Sequence, residues 1–94
     1  MAKVFVFYDG VFAGLTGREK EWVELDVSDF SHLMDKLSQE YGDKFREAVL
    51  DDERIDVRAG VSVLNNGRRV ELKTPLQEGD ELAFLISIAG GADG

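Results

Sequence analysis

The spacing of apolar positions changes several times along the chain. Lys3 to Tyr8 (KVFVFY) is β-branched and aromatic, the composition of a short strand. The glycine-bearing stretch DGVFAGLTGREK reads as a loop, and Trp22–Val27 (WVELDV) as a second strand, so the two strands are expected to form a hairpin with a long connection. The period then lengthens. Phe30, Leu33, Leu37 and Tyr41 recur at helical spacing, with Met34 beside them. Asp29 or Ser28 can accept bonds from the free N–H groups of the first turn, and Gly42 can supply a left-handed stop. A shorter helical turn is expected over Lys44–Leu50. The acidic run DDERID after it has neither the spacing nor the glycine of a calcium loop and reads as a solvated loop.

In VSVLNNGRRVEL, Val61 and Val63 alternate, Asn66-Gly67 suits a type I′ turn, and Val70 and Leu72 resume the alternation. The connector KTPLQEGDE holds the only proline. Leu82, Phe84, Ile86 and Ile88 then alternate with Ala83, Leu85 and Ser87, which predicts a last strand whose first set faces inward. Two strands, a helix, further strands and a final strand are buried most economically with the helix across one face of a mixed sheet. The first and last strands are the most apolar and belong side by side at the centre, in parallel. The expected fold is therefore α+β, a β-grasp of four to five strands with one main helix. Residues 1–88 form the domain and residues 89–94 a flexible Gly-Gly tail with an Ala-Asp-Gly extension.

Composition narrows the chemistry. Ninety-four residues suit a single domain, and 44% apolar with 32% charged residues is ordinary for a soluble one. The chain has no cysteine, which removes disulfides, thiolate nucleophiles and cysteine-held zinc or iron–sulfur sites together. A formal net charge of -8 argues against nucleic acid and anionic lipid as partners; it can steer the protein toward a basic patch on another protein or serve solubility alone. The start MAKVFVFYDG is too short in apolar residues for a signal peptide, and no run approaches the roughly 20 apolar residues of a membrane span, so a cytoplasmic protein is expected. His32, the single histidine, has no suitably spaced second ligand, so no metal site is expected. The serines lack a nucleophile elbow, no carboxylate pair stands out, and DGVFAGLTG lacks the lysine and the strand–loop–helix setting of a phosphate cradle. No catalytic residue is expected, and the protein is not read as an enzyme.

The remaining signal is the ending, LISIAGGADG. A given adjacent pair is Gly-Gly only roughly once in 200. Extended, Ala89–Gly94 reaches about 20 Å beyond the sheet. Gly90 and Gly91 have no Cβ and can thread a channel too narrow for side chains. VFVFYDGVFAGLTG, the helix after VSDFSHLMDKL, VLNNGRRV and above all PLQEGDELAFLISIAGG resemble the ThiS/MoaD family of ubiquitin-like sulfur carriers, and the MoaD branch, the small subunit of molybdopterin synthase, is the most similar.

The resemblance implies that an E1-like adenylyltransferase uses ATP and magnesium to adenylate a C-terminal glycine, which a sulfur donor converts to a thiocarboxylate. It places that group on Gly91, with Ala89 and Gly90 threading the partner site and Leu85, Ser87 and Ile88 at the partner interface. The sulfur acceptor would be the large subunit of molybdopterin synthase or another sulfur-accepting enzyme. The chain departs from the MoaD pattern in two ways. Ser87 and Ile88 stand where MoaD members carry prolines, and Ala92-Asp93-Gly94 masks Gly91. A processing metalloprotease removes such an extension in some relatives; otherwise Gly94 itself is the activated residue. Two further readings stay open at this point. One is a ubiquitin-like modifier joined to target lysines, the other a β-grasp interaction domain whose tail is never activated.

Overall fold

The computed structural model describes residues 2–51 and 56–86. Its elements are β1 (Ala2–Tyr8), α1 (Val11–Thr16), β2 (Lys20–Leu25), α2 (Phe30–Tyr41), α3 (Asp43–Val49), β3 (Val61–Asn65), β4 (Arg68–Arg69) and β5 (Glu81–Ile86). The strands form one mixed sheet in the order β2-β1-β5-β3-β4. β1 and β5 meet in parallel at its centre, with Phe5 opposite Glu81 and Tyr8 opposite Phe84. The other pairings are antiparallel. This is the β-grasp that the alternation predicts.

The strands bury alternate residues on one side: Val4, Val6 and Tyr8 from β1, Val23 and Leu25 from β2, Val61 and Val63 from β3, Leu82 and Phe84 from β5. Phe12 of α1, Phe30, Leu33, Met34 and Leu37 of α2, and Phe45 and Val49 of α3 complete the same cluster. Phe84 is its hub. Its ring lies 5.5–6.1 Å from those of Tyr8, Phe12, Phe30 and Phe45, in the tilted contacts that aromatic quadrupoles favour.

Local signals set the element ends. Of the two candidate caps, Asp29 is used: its Oδ1 accepts the His32 N–H at 2.8 Å, while the Ser28 carbonyl accepts from Leu76 N–H. Gly42 has the expected positive φ of 93° but an extended ψ of 175°, so α3 starts at once with Asp43 rather than after a full left-handed stop. Asn66 and Gly67 both have positive φ, 52° and 87°, as a type I′ turn requires. Asp80 holds that turn against β5, accepting from the Asn65 and Asn66 amides at 2.8 and 3.1 Å and from Gln77 N–H at 2.8 Å. Burial opposes ionisation of Asp80, but these donors outweigh it and hold its carboxyl below the usual range.

Several details differ from the expectation. DGVFAGLTG is not simply a loop: it carries α1, because Phe12 is fully buried beneath it and Gly17 closes the turn in the left-handed region. The second strand is Lys20–Leu25 rather than Trp22–Val27, and Val27, 49% exposed, lies in the bend beyond it. The strand after the Asn-Gly turn stops at Arg69, although Val70 N–H still bonds Val63 O, and Leu72 is only partly buried outside it. Ile86 sits past the aromatic hub and is 38% exposed rather than core. Ser87 and Ile88, expected to continue that strand, lie outside the described residues.

β1, β2 and α2 are also tied by a polar contact. One Glu21 oxygen, Oε2, accepts the hydroxyls of both Tyr8 and Tyr41 at 2.6 Å. The Glu21 side chain is 11% exposed, and Arg18 Nη1 stands 3.9 Å from its other oxygen. Burial first, and the Glu21 hydrogen bonds and charge second, raise both phenols well above their ordinary pKa. A phenol held neutral contributes stability below its unfolded pKa of about 10 and loses it as pH rises further. These are the only two tyrosines in the chain. Absorbance at 295 nm should therefore show almost no phenolate at about pH 10.5 in the folded protein, followed by joint ionisation and unfolding at higher pH. Glu21→Gln should bring the titration of Tyr41 back toward the ordinary value.

Candidate partner-docking face

The helices contribute to the core on one side of the sheet. The side chains that point the other way are the ones that a strand with a single buried face would make polar. Here many are not. β1 presents Lys3, Phe5 and Phe7, β2 presents Lys20, Trp22 and Glu24, β5 presents Glu81, Ala83 and Leu85, and β3 presents Ser62 and Leu64. Register sets Trp22 opposite Phe5, and Phe7 opposite Ala83, which in turn lies opposite Leu64. Leu85 lies opposite Ser62. The result is an apolar band across the open face from β2 to β3.

Its aromatic end is well ordered by contact. The Phe5 ring is 4.6 Å from that of Trp22 and 4.8 Å, edge-on, from that of Phe7. Lys3 Nζ lies 5.5 Å from the Trp22 ring, within cation–π range. Trp22 remains 54% exposed, the largest aromatic surface offered to solvent among the described residues. A band of this kind, bordered by charge, fits a protein partner better than a small ligand.

Leu85, expected to face outward, does so and is half-buried. Asp9 N–H donates to Phe84 O at 3.1 Å, so the pairing of β1 with β5 extends as far as Phe84, beyond which β5 is paired with β3. Ile86 and Val11, 38% and 57% exposed, flank that end. Ser87, Ile88, Ala89, Gly90, Gly91 and Gly94 lie outside the described residues. His32 is a surface residue whose Nδ1 lies 2.6 Å from Asp29 Oδ1, and burial of Asp29 is outweighed by hydrogen bonds from His32, which lower its carboxyl pKa. No group of three or more His, Asp or Glu side chains able to hold a metal occurs among the described residues, and none of their helices is long and apolar enough to cross a membrane.

Phe5, Phe7, Trp22 and Leu64 are site residues that the sequence reading did not single out. The signal was present in β1: KVFVFY is apolar on both alternating sets, and a strand with one covered face needs only one.

The sequence profile of the ThiS family matches residues 6–91, and the chain belongs to that family. No curated protein sequence matches it. Among solved structures it is similar to a candidate molybdopterin converting factor subunit 1 from Pyrococcus furiosus, at 27% identity and a TM-score of 0.76, covering 92% of this chain and 98% of that one. The archaeal modifier SAMP1 of Haloferax volcanii shares its fold with a TM-score of 0.79 and 22% identity, over 96% of this chain and 100% of the other. So does a chain from the BexX/CysO complex of Amycolatopsis orientalis, with a TM-score of 0.72 and 22% identity over 94% and 99%.

The two faces of β5 predict opposite mutational responses. Phe84→Ala should cost about 3–5 kcal/mol in urea denaturation, because it empties the hub of the core. Leu85→Ala, one residue on, should cost about 1 kcal/mol or less, since its side chain is only half-covered.

Proposed function

We propose that this protein carries sulfur as a thiocarboxylate on Gly91, formed after residues 92–94 are removed, and delivers it in molybdopterin synthesis. The observation that carries this reading is that the family match stops at Gly91, the second glycine of the pair, and leaves Ala92-Asp93-Gly94 beyond it. The 27% identity to the candidate molybdopterin converting factor subunit favours that pathway over other sulfur acceptors.

The chain has two tasks in this reading. The open face docks, with Leu85, Phe7 and their neighbours in contact with the partner and Ser87 and Ile88 continuing the contact. Ala89 and Gly90 then thread toward the partner's active site, the five residues from Ile86 to Gly91 spanning about 17 Å when extended. The chemistry belongs to separate enzymes. On an E1-like adenylyltransferase with ATP and magnesium, the Gly91 carboxylate attacks the α-phosphorus of ATP and pyrophosphate leaves. A sulfur nucleophile at the hydrosulfide level then attacks the acyl carbon, AMP leaves, and a thiocarboxylate remains. The sulfur is passed on within the large synthase subunit.

ATP–pyrophosphate exchange with the cognate adenylyltransferase tests this. A chain ending at Gly91 should support exchange, and chains ending at Gly90 or Gly94 should not. Leu85→Glu in the Gly91-terminated chain should lower exchange at least about tenfold with an unchanged circular dichroism spectrum. Addition of a sulfur donor should raise the intact mass by about 16 Da. Exchange by the chain ending at Gly94 alone would move the chemistry to Gly94. Conjugates to lysines, with no thiocarboxylate transfer, would make the protein a modifier instead.

A further inference from the structure

Among the described residues β2 is an outer strand of the sheet and pairs only with β1. Its hydrogen-bonding phase follows from one contact. Tyr8 N–H donates to Glu19 O at 2.8 Å, so the bonded partners in the β1–β2 register are Tyr8 with Glu19, Val6 with Glu21 and Val4 with Val23. The backbone groups of Lys20, Trp22 and Glu24 therefore point away from β1, toward the free edge. Lys36 Nζ, which reaches from α2 to Glu24 O at 2.6 Å, independently marks the same direction. The side chains of Lys20, Trp22 and Glu24 all stand on the open face and all are exposed.

Lysine at a free edge ordinarily discourages pairing. Here a glutamate stands two residues from Trp22 on one side and a lysine two residues away on the other. An antiparallel copy of β2 centred on Trp22 sets Trp22 opposite its own equivalent, with Lys20 opposite Glu24 and Glu24 opposite Lys20. All three pairs fall on residues whose backbone groups face the edge. The two-fold registers centred on Lys20 or on Glu24 instead place like charges opposite one another, and one centred on Val23 sets Trp22 against Glu24.

We propose that the chain forms a symmetric dimer through β2, edge to edge and centred on Trp22. The occupant of the edge is thus a second copy of this chain, selected by charge complementarity in a single register. Pairing adds backbone hydrogen bonds, with Lys20 N–H of the second copy taking the place of Lys36 Nζ on Glu24 O, brings two opposite-charge cross-strand pairs together and stacks the two exposed tryptophan rings on the open face. The product is a continuous ten-stranded sheet. Each copy keeps β5 as the third strand in from the joint, behind β2 and β1, and so free for a partner. The interface is isologous, so association closes at two copies.

Sedimentation equilibrium of the full chain tests this, read at about 100 µM and above because a joint this small is weak. The expected mass is twice that of the 10.5 kDa chain. Lys20→Glu and Glu24→Lys should each weaken association about tenfold or more, since each turns both cross-strand pairs into like charges, and the double variant should restore it. Both sites are exposed, and circular dichroism shows whether each variant stays folded. The chain has no cysteine, so Trp22→Cys introduces one alone; two such residues would lie about 5.5 Å apart across the axis and should oxidise to a covalent dimer. A monomer throughout, association unchanged by the single reversals, or a double variant no better than the singles would overturn the proposal.

Discussion

The structure depends on Phe84 reaching the centre of the aromatic core. β5 can put it there only by lying parallel to β1, between β1 and β3, and once it does, rings from β1, α1, α2 and α3 close on it from separate parts of the chain. Aromatic residues bury large areas for few torsions, so this one cluster does much to hold three helices and the central strands together. Domains of this length have little core to spare. That is why the hub is made of rings and why the polar contacts, the Tyr8–Glu21–Tyr41 lock among them, sit at its rim.

A core built wholly on one side leaves the other side of the sheet to be explained. The band from Trp22 through Phe5 and Phe7 to Ala83, Leu64 and Leu85 contributes little to the core cluster and stands on a chain of net charge -8. Such a surface keeps the protein soluble through its charge while keeping its contact area in one place. β5 belongs to both faces: Phe84 anchors the domain, and Leu85, next along the chain, points outward.

Much of this was legible in the residues. Period two over 82–86, the Asn-Gly turn and the heptad-like spacing of 30–41 each gave the right element, because local chemistry and tertiary packing agree there. α1 was hidden by its glycines, since Gly14 lowers the helical propensity inside it and Gly10 and Gly17 at its two ends read as loop, and only the burial of Phe12 makes the six-residue helix worthwhile. The bounds of β2 were misjudged because Lys20 and Glu21 look like loop residues, and Glu21 becomes a strand residue only through the tyrosines that grip it. The open face was hardest to read. A strand such as β1, apolar on both alternating sets except at Lys3, suits a sheet covered on both sides almost equally well, and the alternation that would tell the faces apart is nearly absent from it. The proposed activated end is read from the sequence alone, with Gly91 standing where the family profile stops.

The parallel pairing of β1 with β5 joins segments about as far apart as the chain allows; Lys3 N–H bonds a carboxylate oxygen of Glu78, 75 residues away. Contacts this distant form late, after loops have closed. A nascent chain thus has a bare first strand and an unfilled hub until its last strand has been made. Any molecule cut short before that strand lacks the core and the docking face at once. Folding thereby acts as an inspection step, and only chains synthesised through β5 carry the face proposed to dock.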